Sequence, residues 1–146
     1  MIGRMVNLGL AGALLLGLSA CGTAKVGSDS DDPTMAKLRA IARHAAEANS
    51  GHADKAEAVK STHSTGEKLA SGGDIVQGNE PVWIVQVEGT FTCNSCSHPQ
   101  GFRGTIAGHY LTITVDASTW RDTDFGIGDR RADLAKLGKV IDVTPR

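Results

Sequence analysis

Cys93-Asn94-Ser95-Cys96 is the one place in this chain where reactive side chains recur at a spacing that chemistry uses. Two thiols so placed can close a crosslink, cycle between thiol and disulfide, or supply half of a tetrahedral metal shell. His98 and His109 are near enough in sequence to complete a Cys2His2 set. The three readings make different demands. A redox cysteine wants a helix N-terminus, where the dipole lowers its pKa. Here the pair follows an alternating run and precedes Ser-His-Pro-Gln-Gly, which starts no helix. A metal set must form against competing oxidation outside the cytoplasm. A structural crosslink needs only proximity and an oxidising compartment, and a loop this short adds modest stability. A Cys93–Cys96 disulfide is therefore expected. The metal set Cys93, Cys96, His98 and His109, and a nucleophilic Cys93, are its rivals. The first histidine comes one residue too late for a Cys-x-x-Cys-His haem attachment, and no cofactor is expected.

Other constellations are weaker. Asp122-x-Asp124-x-Gly126, with Asp133 in the twelfth place, echoes a calcium loop, but Ile127 stands where the tight turn demands glycine. No Gly-x-Ser-x-Gly elbow is present, and the serines fall in linkers and loops, so no residue set argues for an enzyme.

The compartment is read from the N-terminus. Arg4 precedes Leu8–Leu18, an apolar run of 11 residues. That is the length of a signal-peptide h-region, whereas a spanning helix needs about 20 residues. The run ends in Leu18-Ser19-Ala20-Cys21-Gly22, which resembles the lipobox of bacterial lipoproteins. The resemblance implies cleavage before Cys21 and a diacylglycerol on its thiol, hence a membrane anchor on the extracytoplasmic face. Cysteine arithmetic agrees: of three cysteines, lipid on Cys21 leaves Cys93 and Cys96 to pair. Removal of residues 1–20 leaves 14 basic and 16 acidic residues, a balance that gives no electrostatic case for nucleic acid. The expected organisation is a signal peptide over 1–20, a flexible tether over 21–33 rich in Gly, Ser and Asp, and one domain over 34–144.

The elements that position the cysteines centre on residues 82–117. Both flanks alternate with period 2, and all six aromatic residues lie between Trp83 and Phe125. Trp83, Val85, Val87 and Phe91 share one face of the first run, and Leu111, Ile113 and Val115 one face of the second, which predicts a long β-hairpin around a buried core. Asp32-Pro33 predicts a helix start. Met35, Leu38, Ile41, Ala42, Ala45 and Ala48 then form an apolar stripe, and Asn49-Ser50-Gly51 closes the helix. A strand is expected over 55–64, a short strand over 120–125, a short helix over 131–138 and a last strand over 140–143. Residues 65–81, rich in glycine, form no element legible by pattern. The sum is an α+β fold, an N-terminal amphipathic helix packed on an antiparallel sheet.

The segments "EAVKSTHSTGEKL", "PVWIVQVEGTFT", "LTITVDASTWRDTDFGI" and "DLAKLG" resemble small secreted PepSY-like proteins, in particular lipoproteins of Gram-positive bacteria with high genomic GC content. This chain has Thr119-Trp120 where such turns more often read Thr-Gly. The resemblance implies an extracytoplasmic binding or regulatory module and transfers no catalytic residues. The expected partners are the membrane, through the lipid, and a protein, peptide or envelope component. The expected contact surface is the hairpin loop carrying Phe102 and Arg103. The alternative is a thiol–disulfide oxidoreductase or metal-binding protein built on Cys93 and Cys96.

Overall fold

Asp32 and Pro33 start the first helix as their chemistry dictates. The Asp32 carboxylate accepts the Thr34 N–H at 2.8 Å, and Pro33 occupies a position with no N–H to satisfy. This helix, α1 (Pro33–Ala48), ends at Asn49, with Ser50 in the left-handed region at φ 54°. A computed structural model describes residues 32–70, 77–93, 96, 101 and 103–146. The expected signal peptide, Cys21 and nearly all of the tether lie outside the described residues.

After α1 come β1 (Lys55–Thr62), α2 (His63–Ala70), β2 (Pro81–Cys93), β3 (Ile106–Asp116), β4 (Asp122–Gly128), a 3-10 turn (Leu134–Lys136) and β5 (Ile141–Asp142). The strands form one antiparallel sheet in the order β4-β3-β2-β1-β5. The fold is α+β, with the N-terminal helix on a sheet whose centre is the long hairpin β2–β3. The short helix expected over 131–138 is only the 3-10 turn, closed at Gly138, whose φ of 146° suits glycine.

Period 2 gives the sheet two different faces. Ala56, Ala58, Val85, Val87, Phe91, Leu111, Ile113 and Val115 face α1, which buries Met35, Leu38, Ala42 and Ala46 against them. Ala46 takes the place expected of Ala48, which is exposed, because the contact follows the i, i+4 row through Leu38 and Ala42. Trp83 belongs to this row but is only half-buried at its edge. The other face carries Val59, Val82 and Ile84, packed with Leu134 and, at their margin, Leu69 and Ala70 of α2.

The element illegible in the sequence is α2. It is short and contains Gly66, and its buried positions are that glycine and Glu67, so it shows no apolar stripe. Gly66 is there for closeness: a Cβ would stand 2.6 Å from Ile84 Cδ1. Residues 71–76 of the same stretch lie outside the described residues.

The turn from β3 to β4 hangs on Asp116, whose carboxylate accepts the N–H groups of Ser118 and Thr119 at 2.8 and 2.6 Å and the Thr119 hydroxyl at 3.0 Å. Trp120, at φ 61°, takes the left-handed position where glycine costs least. Its ring is retained by packing on the core and by Lys37, whose Nζ lies 4.7 Å from the ring centroid.

Candidate ligand-binding cleft

At the hairpin end, Cys93 and Cys96 are joined by a disulfide with an S–S distance of 2.00 Å. Cys93 is 5 % exposed and ends a strand, with no helix terminus contributed by the described residues around it. Of the metal set, the described members Cys93 and His109 are not placed opposite each other. A bulge between Glu88 and Phe91 sets Cys93 opposite Ile106, three positions from His109. His109 turns to solvent instead, its Nδ1 2.7 Å from the Asp129 carboxylate. His98 and Phe102 lie outside the described residues, and Arg103 is exposed. Among the described residues no three His, Cys, Asp or Glu side chains are grouped to hold a metal ion. Asp122, Asp124 and Gly126 of the calcium-like pattern lie in strand β4, where an extended backbone cannot wrap a cation.

The more structured concavity lies on the sheet face away from α1. Tyr110, Thr112 and Thr114 of β3 floor a cleft of about 460 Å³, with α2 along one side and β4 along the other. Asp129, Arg130 and Ala132 close one end. The opening has a backbone cause. Cross-strand partners of Thr112 and Tyr110 are Gly126 and Gly128, so the β4 wall has no side chain at two consecutive positions on that face. A Cβ on Gly126 would meet nothing within 4 Å.

Glu67 of α2 enters this cleft and is 2 % exposed. The Thr114 hydroxyl donates a hydrogen bond to its Oε1. Burial raises the Glu67 carboxyl above the ordinary glutamate value, and the neighbouring Asp124 carboxylate raises it further, against the lowering effect of Thr114. A carboxyl held toward its neutral form in a small cleft both donates and accepts hydrogen bonds and gains charge when a cation arrives. Gln86, buried on the same face, accepts the Ala132 N–H at 2.7 Å and so fixes the segment at the cleft's end. No pattern in the sequence singled out Glu67, because a glutamate in a glycine-rich stretch reads as solvated.

A second crevice, of about 260 Å³, lies on the other side of β4, between that strand and α1. Ile41, Ala45, Leu111, Ile113, Trp120 and Phe125 supply its apolar lining, and His44 stands among the residues around it.

No family model, curated protein or solved structure matches this chain. Among the described residues no helix is long and apolar enough to cross a membrane.

Proposed function

We propose that the chain is a membrane-anchored extracytoplasmic lipoprotein, lipidated at Cys21, whose domain is a non-enzymatic module that holds its ligand in the cleft between α2 and β4. The observation that carries this reading is the cleft itself. Its volume of about 460 Å³ is in the range of ligand sites, and it combines apolar walls with a few convergent polar groups, Glu67, Thr112, Thr114 and Asp124. Lipid and tether keep such a module near the membrane while leaving it free to reorient. The thiol–disulfide alternative has less behind it, since Cys93 is buried and ends a strand, with no helix N-terminus among the described residues around it.

Lipidation is tested by mass spectrometry of membrane-extracted protein, which should yield a lipid-modified peptide beginning at Cys21. Retention of residues 1–20 would overturn it. The site is tested with a photo-crosslinking side chain placed at Thr112 or at Arg103 in protein on intact cells, followed by intact-mass analysis. An adduct from Thr112 supports the cleft. An adduct from Arg103 alone returns the site to the hairpin end, and adducts from neither position overturn the binding reading.

A further inference from the structure

We propose that the cleft's ligand is an extended basic peptide that adds to the sheet as a strand outside β4, with lysine or arginine side chains entering the cleft and apolar ones entering the crevice beside α1. The inference rests on the cleft being a ligand site and names the occupant.

Strand β4 is an edge, bonded to β3 and, among the described residues, to no strand on its other side. The direction of its free groups follows from two hydrogen bonds. Ala117 donates to Pro81 O at 3.0 Å, toward β2, and Asp116 donates to Arg121 O at 2.9 Å, toward β4. Backbone groups alternate along a strand, so Thr114, Thr112 and Tyr110 bond their β4 partners Asp124, Gly126 and Gly128. Phe125 and Ile127 therefore point their N–H and C=O groups outward. The Phe125 N–H is met at 2.8 Å by the Asp124 carboxylate, a local partner that an incoming carbonyl can replace.

The two concavities flank this edge on opposite faces, and the side chains of an added strand alternate between those faces. A residue opposite Gly126 projects on the cleft side, over a position with no side chain, toward Thr112, Thr114 and Glu67. Its neighbours project beside Phe125, which is 45 % exposed and the one large apolar side chain left exposed among the described residues. Charge selects the sequence. Glu67 and Asp124 face the long side chain, and Asp122 lies at the other end of β4. Asp129 is engaged by His109, and Arg130 lies past β4 at the cleft's end. A basic peptide gains Asp122 and Asp124 as charge partners along this edge.

The test uses the full chain with its disulfide intact and a capped peptide of alternating lysine and valine. Three controls accompany it: glutamate in place of lysine, the lysine peptide N-methylated at alternate backbone nitrogens, and the variant Gly126→Trp, which fills the cleft. The expected result is exchange protection of the Phe125 and Ile127 amides by the lysine peptide, with each control binding at least about tenfold more weakly. Equal binding by the N-methylated peptide, or binding without protection of those amides, overturns strand addition while leaving any Thr112 cross-link of the previous section intact. No binding by the lysine peptide overturns the proposed occupant. Self-association that protects the same amides assigns the edge to a second copy and also overturns it. Absence of both peptide binding and Thr112 adducts removes the cleft reading as well.

Discussion

On the α1 face of the sheet, Val85, Val87, Leu111, Ile113 and Val115 are sealed under a helix that presents Leu38, Ala42 and Ala46. On the opposite face the same strands carry Gln86, Tyr110, Thr112 and Thr114, and the cover is a short α2 and the segment after β4. The first face supplies the apolar burial that holds the domain together. The second spends less area on stability and keeps polar groups in a partly covered cleft, which is what recognition requires. The centre of the α1 face is closed, while the opposite face keeps an open cleft over β3.

The comparison is tested most severely at Phe91. It is fully buried on the α1 side, with the Cβ positions of Gly51 and Gly89 only 2.4 and 2.8 Å from its ring atoms. Phe91→Ala should cost about 3–5 kcal/mol in urea denaturation, with an unchanged slope. Trp83→Ala, at a half-buried position, should cost about half as much. Equal losses would mean that the edge of the α1 face is as tightly sealed as its centre.

Gly66→Ala probes how closely α2 sits on the second face. Alanine normally stabilises a helix interior by about 0.5–1 kcal/mol relative to glycine. Here its Cβ would meet Ile84, so a net loss of about 1–3 kcal/mol is expected, partly restored by adding Ile84→Val. A stabilised Gly66→Ala variant would show that α2 is not closely docked.

Glu67→Gln should have the smallest effect, seen in the pH dependence. Because the folded pKa of Glu67 is raised, its contribution is fully present in acid and is lost as pH rises from the ordinary value of 4.5 through the folded one. The glutamine variant should flatten stability across that window and gain on the wild type at neutral pH. Asp116 and Asp142, lowered by hydrogen bonds from Thr119 and Thr144, act below the ordinary aspartate value of 3.8 and leave that window clear. An unchanged slope above pH 4.5 would place Glu67 in a water-like setting.

Much of the α1 face was legible from residue order. Period-2 alternation in 82–117, the helical stripe from Met35 and the Asp32-Pro33 start are local signals, and large buried apolar residues amplify them. The Cys93–Cys96 crosslink was legible too, because its partners are three residues apart. Which residue stands opposite Cys93 was not legible, because one bulge in β2 shifts the register against β3 and places Ile106 there.

By itself, then, the sequence determined the helix, the hairpin, the α+β class and the nearness of the two cysteines, since each follows from residues adjacent in the chain or repeating at a fixed period. Only the tertiary structure decided that Glu67 is buried, that it meets Thr114 and Asp124, and that Gly126 and Gly128 leave a gap beside them. Those residues come from three separate segments, and a glutamate between glycine and lysine looks solvated until another strand is laid across it. Burial of a polar group is a property of what packs against it, and residue order does not carry that in any local pattern.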